Sequence, residues 1–185
     1  MKTATYVQHP WHIAIGQNAP EEIIAVIEIP QGSRMKYELD KDTGLLHLDR
    51  ILYSSVSYPA NYGLLPQTYY DDGDPLDILV LSSFPISSLC TVAARVIGMM
   101  KMEDEHGLDD KIIAVASGDP EFNNVREIDD LTTSRKNEIM NFFDTYKLLE
   151  EKAVEVKGFV GRDKAVECVQ YAMDLYQKKF ANPQS

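Results

Sequence analysis

Four aspartates lie within residues 71–77 (Asp-Asp-Gly-Asp-Pro-Leu-Asp), and an apolar run, Ile-Leu-Val-Leu, follows directly at residues 78–81. Gly73 and Pro75 exclude a helix here, because glycine frees the backbone while proline fixes φ and lacks an N–H. We therefore predict a tight turn that leads into a buried strand. The turn gathers three carboxylates at the start of that strand: Asp72, Asp74 and Asp77.

Carboxylates gathered in this way need protons or cations to offset their repulsion. Two of them about 4 Å apart repel by about 4 kcal/mol at an effective dielectric constant of about 20. Oxygen ligands suit hard ions such as Mg²⁺, Mn²⁺ or Ca²⁺. An EF-hand does not fit, because counting from Asp72 the sixth position is Asp77 where glycine is needed, and the twelfth is Ser83 where glutamate is needed. A solvated acidic turn and a divalent-cation site both remain open.

A second acidic segment repeats this arrangement. Residues 103–111 contain five carboxylates and end on Lys111, and the apolar run Ile-Ile-Ala-Val follows at residues 112–115. Two acidic turns at strand ends can meet at one rim of a sheet or barrel. We predict that together they supply more ligands than either does alone.

The remaining pattern supplies the elements that must position these turns. Short β-type runs are predicted at residues 23–29, 35–39, 45–53, 77–81, 91–102 and 112–115, with an irregular loop at 58–63. A helix capped at residues 132–134 follows, then a break at Gly158 and Gly161, and a second helix at about 163–179. We predict an α+β, mainly β fold: a small closed five-stranded OB-like β-barrel with two C-terminal helices packed against it. The single catalytic domain would span residues 1–185, with an N-terminal extension at 1–20, a β-barrel region at about 21–116 and a helical region at about 132–180.

Composition restricts the location and the partners of the protein. The 185 residues carry a net charge of −11, which argues against nucleic-acid binding. We see no secretory signal and no apolar stretch near the ~18 residues of a membrane span. Cys90 and Cys168 are isolated and are predicted to be buried free thiols in a reducing compartment. The expectation is a cytoplasmic protein with neither a membrane nor a nucleic-acid partner.

The segment Asp72–Asp77 resembles the signature of the soluble, family I inorganic pyrophosphatases. Further segments match in family order and near-family spacing, from about Glu21 to Glu151: residues 27–30, 36–38, 49–50, 58–63, 101–111 and 146–147. The chain length is similar to that of the shorter prokaryotic-type enzymes. That resemblance implies a homohexamer.

The resemblance also implies an activity and a role for each matching residue. The activity is magnesium-dependent hydrolysis of pyrophosphate to two orthophosphates, by direct attack of a metal-activated hydroxide without a covalent intermediate, with Mn²⁺ as a possible substitute. The implied metal ligands are Asp72, Asp77 and Asp109 for the activating ions, Asp104 with Asp109 for ions that arrive with substrate, and Glu28 and Glu38 nearby. Asp74 is the implied general base. The implied phosphate-binding and catalytic side chains are Lys36, Arg50, Tyr62, Lys111, Tyr146 and Lys147, with Tyr58 in support.

Two other functions compete with this one. A nucleotide phosphohydrolase is disfavoured, because the chain has neither a Gly-rich P-loop nor a dinucleotide fingerprint. A small binding barrel that holds a structural ion would need the carboxylates but not the cations that accompany them, Lys36, Arg50, Lys111 and Lys147. The combination of both charges favours an enzyme that acts on a highly charged anion.

Overall fold

The computed structural model describes residues 8–105 and 107–180, which form nine strands and two α-helices. The strands are β1 (Glu22–Ile29), β2 (Met35–Leu39), β3 (Leu46–Ile51), β4 (Asn61–Leu64), β5 (Asp77–Leu81), β6 (Thr91–Asp104), β7 (Gly107–Leu108), β8 (Lys111–Ala116) and β9 (Val154–Gly161). The helices are α1 (Thr133–Thr145) and α2 (Arg162–Phe180). No helix in the described part of the chain is both long and apolar enough to cross a lipid bilayer.

Five of the strands form a closed ring in the order β1–β4–β5–β8–β6, because β6 pairs with β1 as well as with β8. Only the β5–β8 pair within this ring is parallel. Strand β4 approaches β1 so closely at Gly63 that a Cβ there would lie 1.9 Å from the carbonyl oxygen of Val26. Strands β2 and β3 form a separate two-stranded sheet. The prediction of a mainly β chain with two C-terminal helices is confirmed, and five strands close on one another.

Alternating side chains of the central strands bury two apolar clusters. Ile78 and Val80 of β5 belong to the cluster that includes α2, whereas Leu79 and Leu81 belong to the cluster that includes α1. Successive strand residues point to opposite faces, so one short strand anchors both helices. Each fully buried aliphatic side chain contributes about 1.5–3 kcal/mol. The rigid start of β5 is therefore a firm base for the acidic turn that precedes it.

The prediction of a helical region at about 132–180 is wrong for the middle of that region. Residues 154–161 form strand β9, which pairs with β6 from Gly98 to Asp104. Gly158 and Gly161 were predicted to mark a break between helices, whereas both lie inside this strand. The helices themselves are confirmed: the Thr132 side chain caps α1 by accepting a hydrogen bond from the Arg135 N–H at 3.2 Å.

Two smaller expectations are also wrong. Residues 61–64 form β4 and pair with both β1 and β5, where an irregular loop was predicted at 58–63. Cys90 is exposed and Cys168 is half-buried, so neither thiol is fully buried as expected. Both errors arise because long-range pairing and packing decide these positions, and local composition does not record them.

The predicted N-terminal extension packs against α2 where the structure describes it. Trp11 lies in a short 3₁₀-helix, is buried, and donates from Nε1 to the carbonyl oxygen of Thr68 at 2.7 Å. Its ring meets that of Phe180 edge-on at 5.4 Å. The first seven residues of the predicted extension lie outside the described part of the chain.

Candidate active site

A cleft of about 690 Å³ collects the residues that the sequence singled out. Every predicted metal ligand lines it, as do the predicted general base and all the predicted phosphate-binding residues except Tyr62. These lining residues are Glu28, Lys36, Glu38, Arg50, Asp72, Asp74, Asp77, Asp104, Asp109, Lys111, Tyr146 and Lys147. The expectation that the two acidic turns meet at one rim is confirmed.

The first acidic turn has the predicted form, a tight turn that leads into β5. Gly73 adopts a φ of 91°, a value that suits glycine and strains other residues. The Asp74 N–H donates to Oδ1 of Asp72 at 3.0 Å, and the Tyr70 N–H donates to the Asp74 carbonyl oxygen at 2.7 Å. These bonds hold the Asp72 carboxylate and the backbone of Asp74 in place at the cleft wall.

The parallel pairing of β5 and β8 brings the two acidic turns together. Asp77 and Lys111, the first residues of these strands, are register partners. Lys111 is only 2% exposed, and its Nζ lies 2.5 Å from Oδ2 of Asp77 and also contacts Oδ1 of Asp109. Burial alone would lower the pKa of Lys111, but the two carboxylates raise it above its ordinary value. A permanently charged ammonium therefore lies at the centre of the cleft.

The carboxylates around this ammonium resist ionisation. Burial raises the pKa of Glu28 to about 8, and the charge of Asp77 adds to the rise. Burial, together with Asp77, raises the pKa of Asp109 to about 6 even though Lys111 opposes the change. Burial and Asp77 also raise the pKa of Asp72. Asp77 is the common neighbour of all three, so a cation that binds here would relieve several repulsions at once.

The donor set of the cleft fits a hard divalent cation, since it consists of carboxylate oxygens from two turns and from β1. On the separate β2–β3 sheet, the ligand atoms of Glu38, His47 and Asp49 also lie within 4.8 Å of one another. All three are exposed, and Lys36 forms ion pairs with the carboxylates of both Glu38 and Asp49. Glu38 borders the cleft as well, so this group adjoins the main cluster.

The predicted phosphate-binding cations are held by carboxylates at the cleft wall. Arg50 donates from Nε to Oε1 of Glu150 at 3.0 Å and also contacts Asp49. Lys147 lies 2.9 Å from Oδ2 of Asp104. The Glu150 side chain is only 7% exposed, so it holds the Arg50 guanidinium from the interior of the protein. Positively charged side chains and carboxylates therefore lie side by side along the cleft wall. This arrangement suits a ligand made of metal ions and phosphate oxygens.

The three predicted tyrosines form an aromatic wall between α1 and the acidic centre. Tyr58 is 2% exposed, and its ring lies 5.4 Å from that of Tyr62 and 4.7 Å from that of Phe142. The negative charge of Asp77 adds to the effect of burial on the pKa of Tyr62, whose ring centroid lies 5.9 Å from Lys111 Nζ. Burial raises the pKa of the Tyr58, Tyr62 and Tyr146 hydroxyls well above their ordinary value, so all three remain protonated.

Comparison with known proteins places the chain in a family. A sequence profile described as inorganic pyrophosphatase matches residues 25–177. The chain is 50% identical over 169 residues to soluble inorganic pyrophosphatase 1 of Arabidopsis thaliana, with 91% of this chain and 80% of the relative covered. It is 49% identical over 173 residues to soluble inorganic pyrophosphatase 2 of Chlamydomonas reinhardtii, with 93% and 90% covered. The chain belongs to the inorganic pyrophosphatase family.

Solved structures agree with this assignment. The inorganic pyrophosphatase of Thermus thermophilus superposes with a TM-score of 0.90 at 41% identity, covering 92% of this chain and 99% of that one. The enzyme of Helicobacter pylori gives a TM-score of 0.86 at 43% identity, covering 89% and 98%. Membership of the family makes the chain an enzyme, an inorganic diphosphatase.

Sequence reasoning missed Lys41, which lines the cleft, and two residues that contact or adjoin its lining residues, Glu150 and Asp110. Lys41 contacts Oδ1 of Asp74 from the β2–β3 turn, Glu150 braces Arg50, and Asp110 is buried beside Asp109. Sequence reasoning could have found Asp110. Side chains alternate along an extended chain, so the charged residue between Asp109 and Lys111 must point away from the side that those two share. Lys41 and Glu150 carried no such signal, since each reaches its partner across the fold.

Replacing Glu28 with glutamine is expected to stabilise the metal-free protein by about 3 kcal/mol at pH 7. The folded pKa of about 8 lies above the ordinary 4.5, so the folded state retains a proton that the unfolded chain loses. The free energy of unfolding of the unsubstituted protein therefore falls as pH rises through this interval, whereas glutamine stays neutral and can still accept the Leu39 N–H. Urea unfolding in EDTA measures the difference.

The gain should be large at pH 7 and largely vanish near pH 4.5. Glu22→Gln, on the same strand but exposed, is the matched control and should show no such pH-dependent gain. Equal unfolding free energies for Glu28→Gln and the unsubstituted protein at pH 7 would contradict the raised pKa.

Proposed function

We propose that the chain hydrolyses inorganic pyrophosphate to two orthophosphate ions in this cleft, and that the reaction depends on Mg²⁺. The observation that carries the proposal is the presence, in one cleft, of several carboxylates and several buried or braced cations around the Asp77–Lys111 pair. A structural-ion site would not need these cations. The names of the relatives, inorganic pyrophosphatases from plants, algae and bacteria, support the same substrate.

The residues present fit divalent cations. Asp72, Asp77 and Asp109 would hold the activating ions, Asp104 with Asp109 would hold those that enter with the substrate, and Glu28 and Glu38 would adjust the charge around them. When bound, Mg²⁺ supplies charge neutralisation at the phosphates and acidifies water. The raised pKa values of Glu28 and Asp109 support this ligand set, because they report carboxylates crowded together out of water.

The side chains of the chain then perform the remaining steps. Asp74 takes the proton of the attacking water as general base, while the new P–O bond forms and the bridging P–O bond breaks. Lys36, Arg50, Lys111 and Lys147 stabilise the negative charge that develops on the phosphate oxygens. The Tyr62 and Tyr146 hydroxyls donate hydrogen bonds to those oxygens because they stay protonated, and buried Tyr58 supports Tyr62. No covalent nucleophile is needed.

Five finer points complete the proposal. We describe the five-stranded ring as an OB-like barrel, and residues 1–185 as one catalytic domain. We expect Mn²⁺ to replace Mg²⁺ in part, since both accept oxygen ligands. The homohexamer stays a prediction from the resemblance to the shorter prokaryotic-type enzymes, and the cytoplasmic location stays a prediction from composition.

Phosphate release tests the proposal. Purified protein should release phosphate from pyrophosphate at millimolar Mg²⁺, release little in EDTA, and release little from ATP. Similar rates on ATP would instead favour a nucleotide phosphohydrolase. If folded protein binds Mn²⁺ but releases no phosphate from pyrophosphate, the result would favour the alternative function, a small binding barrel that holds a structural ion.

A further inference from the structure

Asp110 is a buried charged residue that the proposed mechanism does not use. It is 2% exposed and lies between Asp109 and Lys111, both of which line the cleft. Asp110 itself is not part of the cleft lining, in keeping with the alternation of side chains along an extended chain. A buried carboxylate persists in a fold only where cations and hydrogen-bond donors compensate it.

Three donors from two regions compensate Asp110. Its Oδ2 atom accepts from Lys101 Nζ at 2.5 Å and from the Tyr70 hydroxyl at 3.0 Å. Its Oδ1 atom accepts from the Met102 N–H at 3.4 Å. Lys101 and Met102 belong to β6, whereas Tyr70 immediately precedes the first acidic turn.

Tyr70 closes the first acidic turn with its backbone. Its N–H donates to the Asp74 carbonyl oxygen at 2.7 Å, and its own carbonyl oxygen accepts from the Gly73 N–H at 3.0 Å. The hydroxyl of the same residue reaches Asp110, and its ring meets that of Tyr171 of α2 edge-on, with the ring centroids 6.3 Å apart. The side chain thus ties the base of this turn to Asp110 and to α2.

The second acidic turn is tied to the same carboxylate through β6. The Asp109 N–H donates a hydrogen bond to the Met102 carbonyl oxygen at 3.0 Å. The N–H of the same Met102 donates a hydrogen bond to Asp110. The β6–β9 pairing shifts register between Lys101 and Met102, and Asp110 contacts both of these residues at that irregularity. Asp110 therefore joins the end of β6 and both acidic turns in one hydrogen-bonded unit.

We infer that Asp110 is a positioning residue that fixes the two acidic turns relative to each other, so that carboxylates from both can serve the same cations. The inference rests on the proposed function, because it concerns the cleft to which that function is assigned. Asp110 acts through Tyr70 and β6 and does not touch the substrate. Removing a residue that orients metal ligands in this way commonly changes metal affinity by about 10–100-fold.

The test uses Asp110→Asn, which removes the charge at similar size, and Tyr70→Phe, which removes one hydroxyl. In each, Mn²⁺ binding followed by electron paramagnetic resonance should weaken by about tenfold. In EDTA, hydrogen exchange should accelerate at the Gly73 and Asp109 amides, which report the two turns without any metal. The double variant should weaken Mn²⁺ binding by less than the product of the single effects, because both substitutions break one unit.

Tyr171→Phe is the matched control. Its hydroxyl also bonds an aspartate, Asp71, at 3.0 Å, but on the surface, so its Mn²⁺ affinity and amide exchange should match those of the unsubstituted protein. A lower melting temperature with unchanged Mn²⁺ affinity in Asp110→Asn and Tyr70→Phe would overturn the inference, since a merely structural role predicts that result. If Asp110→Asn does not fold, Tyr70→Phe decides alone. Unsubstituted protein that binds Mn²⁺ yet does not hydrolyse pyrophosphate would overturn the proposed function and leave this test valid.

Discussion

Replacing Asp74 with asparagine is expected to lower kcat for pyrophosphate hydrolysis by about 10²–10⁴-fold, the range typical of a lost general base. The asparagine would keep the size of the side chain and its place in the turn, where the backbone N–H donates to Asp72 at 3.0 Å. The variant loses the ability to accept a proton, and it also loses the ion pair of Asp74 with Lys41. Since the ligand set assigned above does not include Asp74, Mn²⁺ affinity should change little. Steady-state kinetics at saturating Mg²⁺, together with Mn²⁺ binding, separate the two effects.

Asp71→Asn is the matched control for this prediction. Asp71 lies in the same turn and carries the same charge, but it bonds the exposed Tyr171 hydroxyl. Its variant should retain turnover close to that of the unsubstituted protein. Equal losses in both variants would mean that the turn acts through its total charge, and unchanged turnover in Asp74→Asn would remove Asp74 from the mechanism.

Replacing Lys111 with methionine is expected to destabilise the metal-free protein by about 3–5 kcal/mol. The ammonium is almost completely buried and contacts Asp77 and Asp109 together. Methionine would fill the space and leave two partly buried carboxylates without this counter-charge. For a chain of this size the loss corresponds to a melting temperature lower by about 6–20 °C, measurable by calorimetry in EDTA.

Saturating Mg²⁺ should narrow this difference, because metal ions bound by the same carboxylates replace the lost positive charge. Lys157→Met is the control: its partially exposed ion pair with Glu103 joins β9 to β6 at the surface, so this substitution should change the melting temperature little. A melting temperature for Lys111→Met in EDTA that equals that of the unsubstituted protein would show that the buried ion pairs give no net stabilisation.

The ion pairs of the cleft also suggest how metal and substrate binding are linked. Lys111 pairs with Asp77 and Asp109, and Lys147 pairs with Asp104. These carboxylates are the proposed metal ligands, and these lysines are the proposed phosphate ligands. Divalent cations that bind the carboxylates weaken the hold of the carboxylates on the ammonium groups. Metal binding would thereby make the lysines available to phosphate oxygens.

Much of this site could be predicted from sequence because its chemistry is encoded locally. The turn at residues 71–77 follows from Gly73 and Pro75, and the strand Asp77–Leu81 follows from an unbroken apolar run. A helix cap within residues 132–134 and the amphipathic α2 follow from residue type and spacing alone, and the structure places the cap at Thr132. Each of these features depends on neighbours within a few residues, so a single sequence contains the information.

Other features depend on partners far along the chain, so a single segment of sequence does not contain the information that specifies them. Strand β9 forms because the long strand β6 pairs with it in addition to its two neighbours in the ring. Taken locally, the two glycines of β9 favour a break in the chain. Asp77 and Lys111 meet because β5 and β8 pair in parallel, a register that neither segment specifies alone. The same holds for Arg50 with Glu150 and for Asp110 with Tyr70. Local sequence thus specifies which residue types the cleft contains, whereas the packing of distant strands specifies which charged side chains touch.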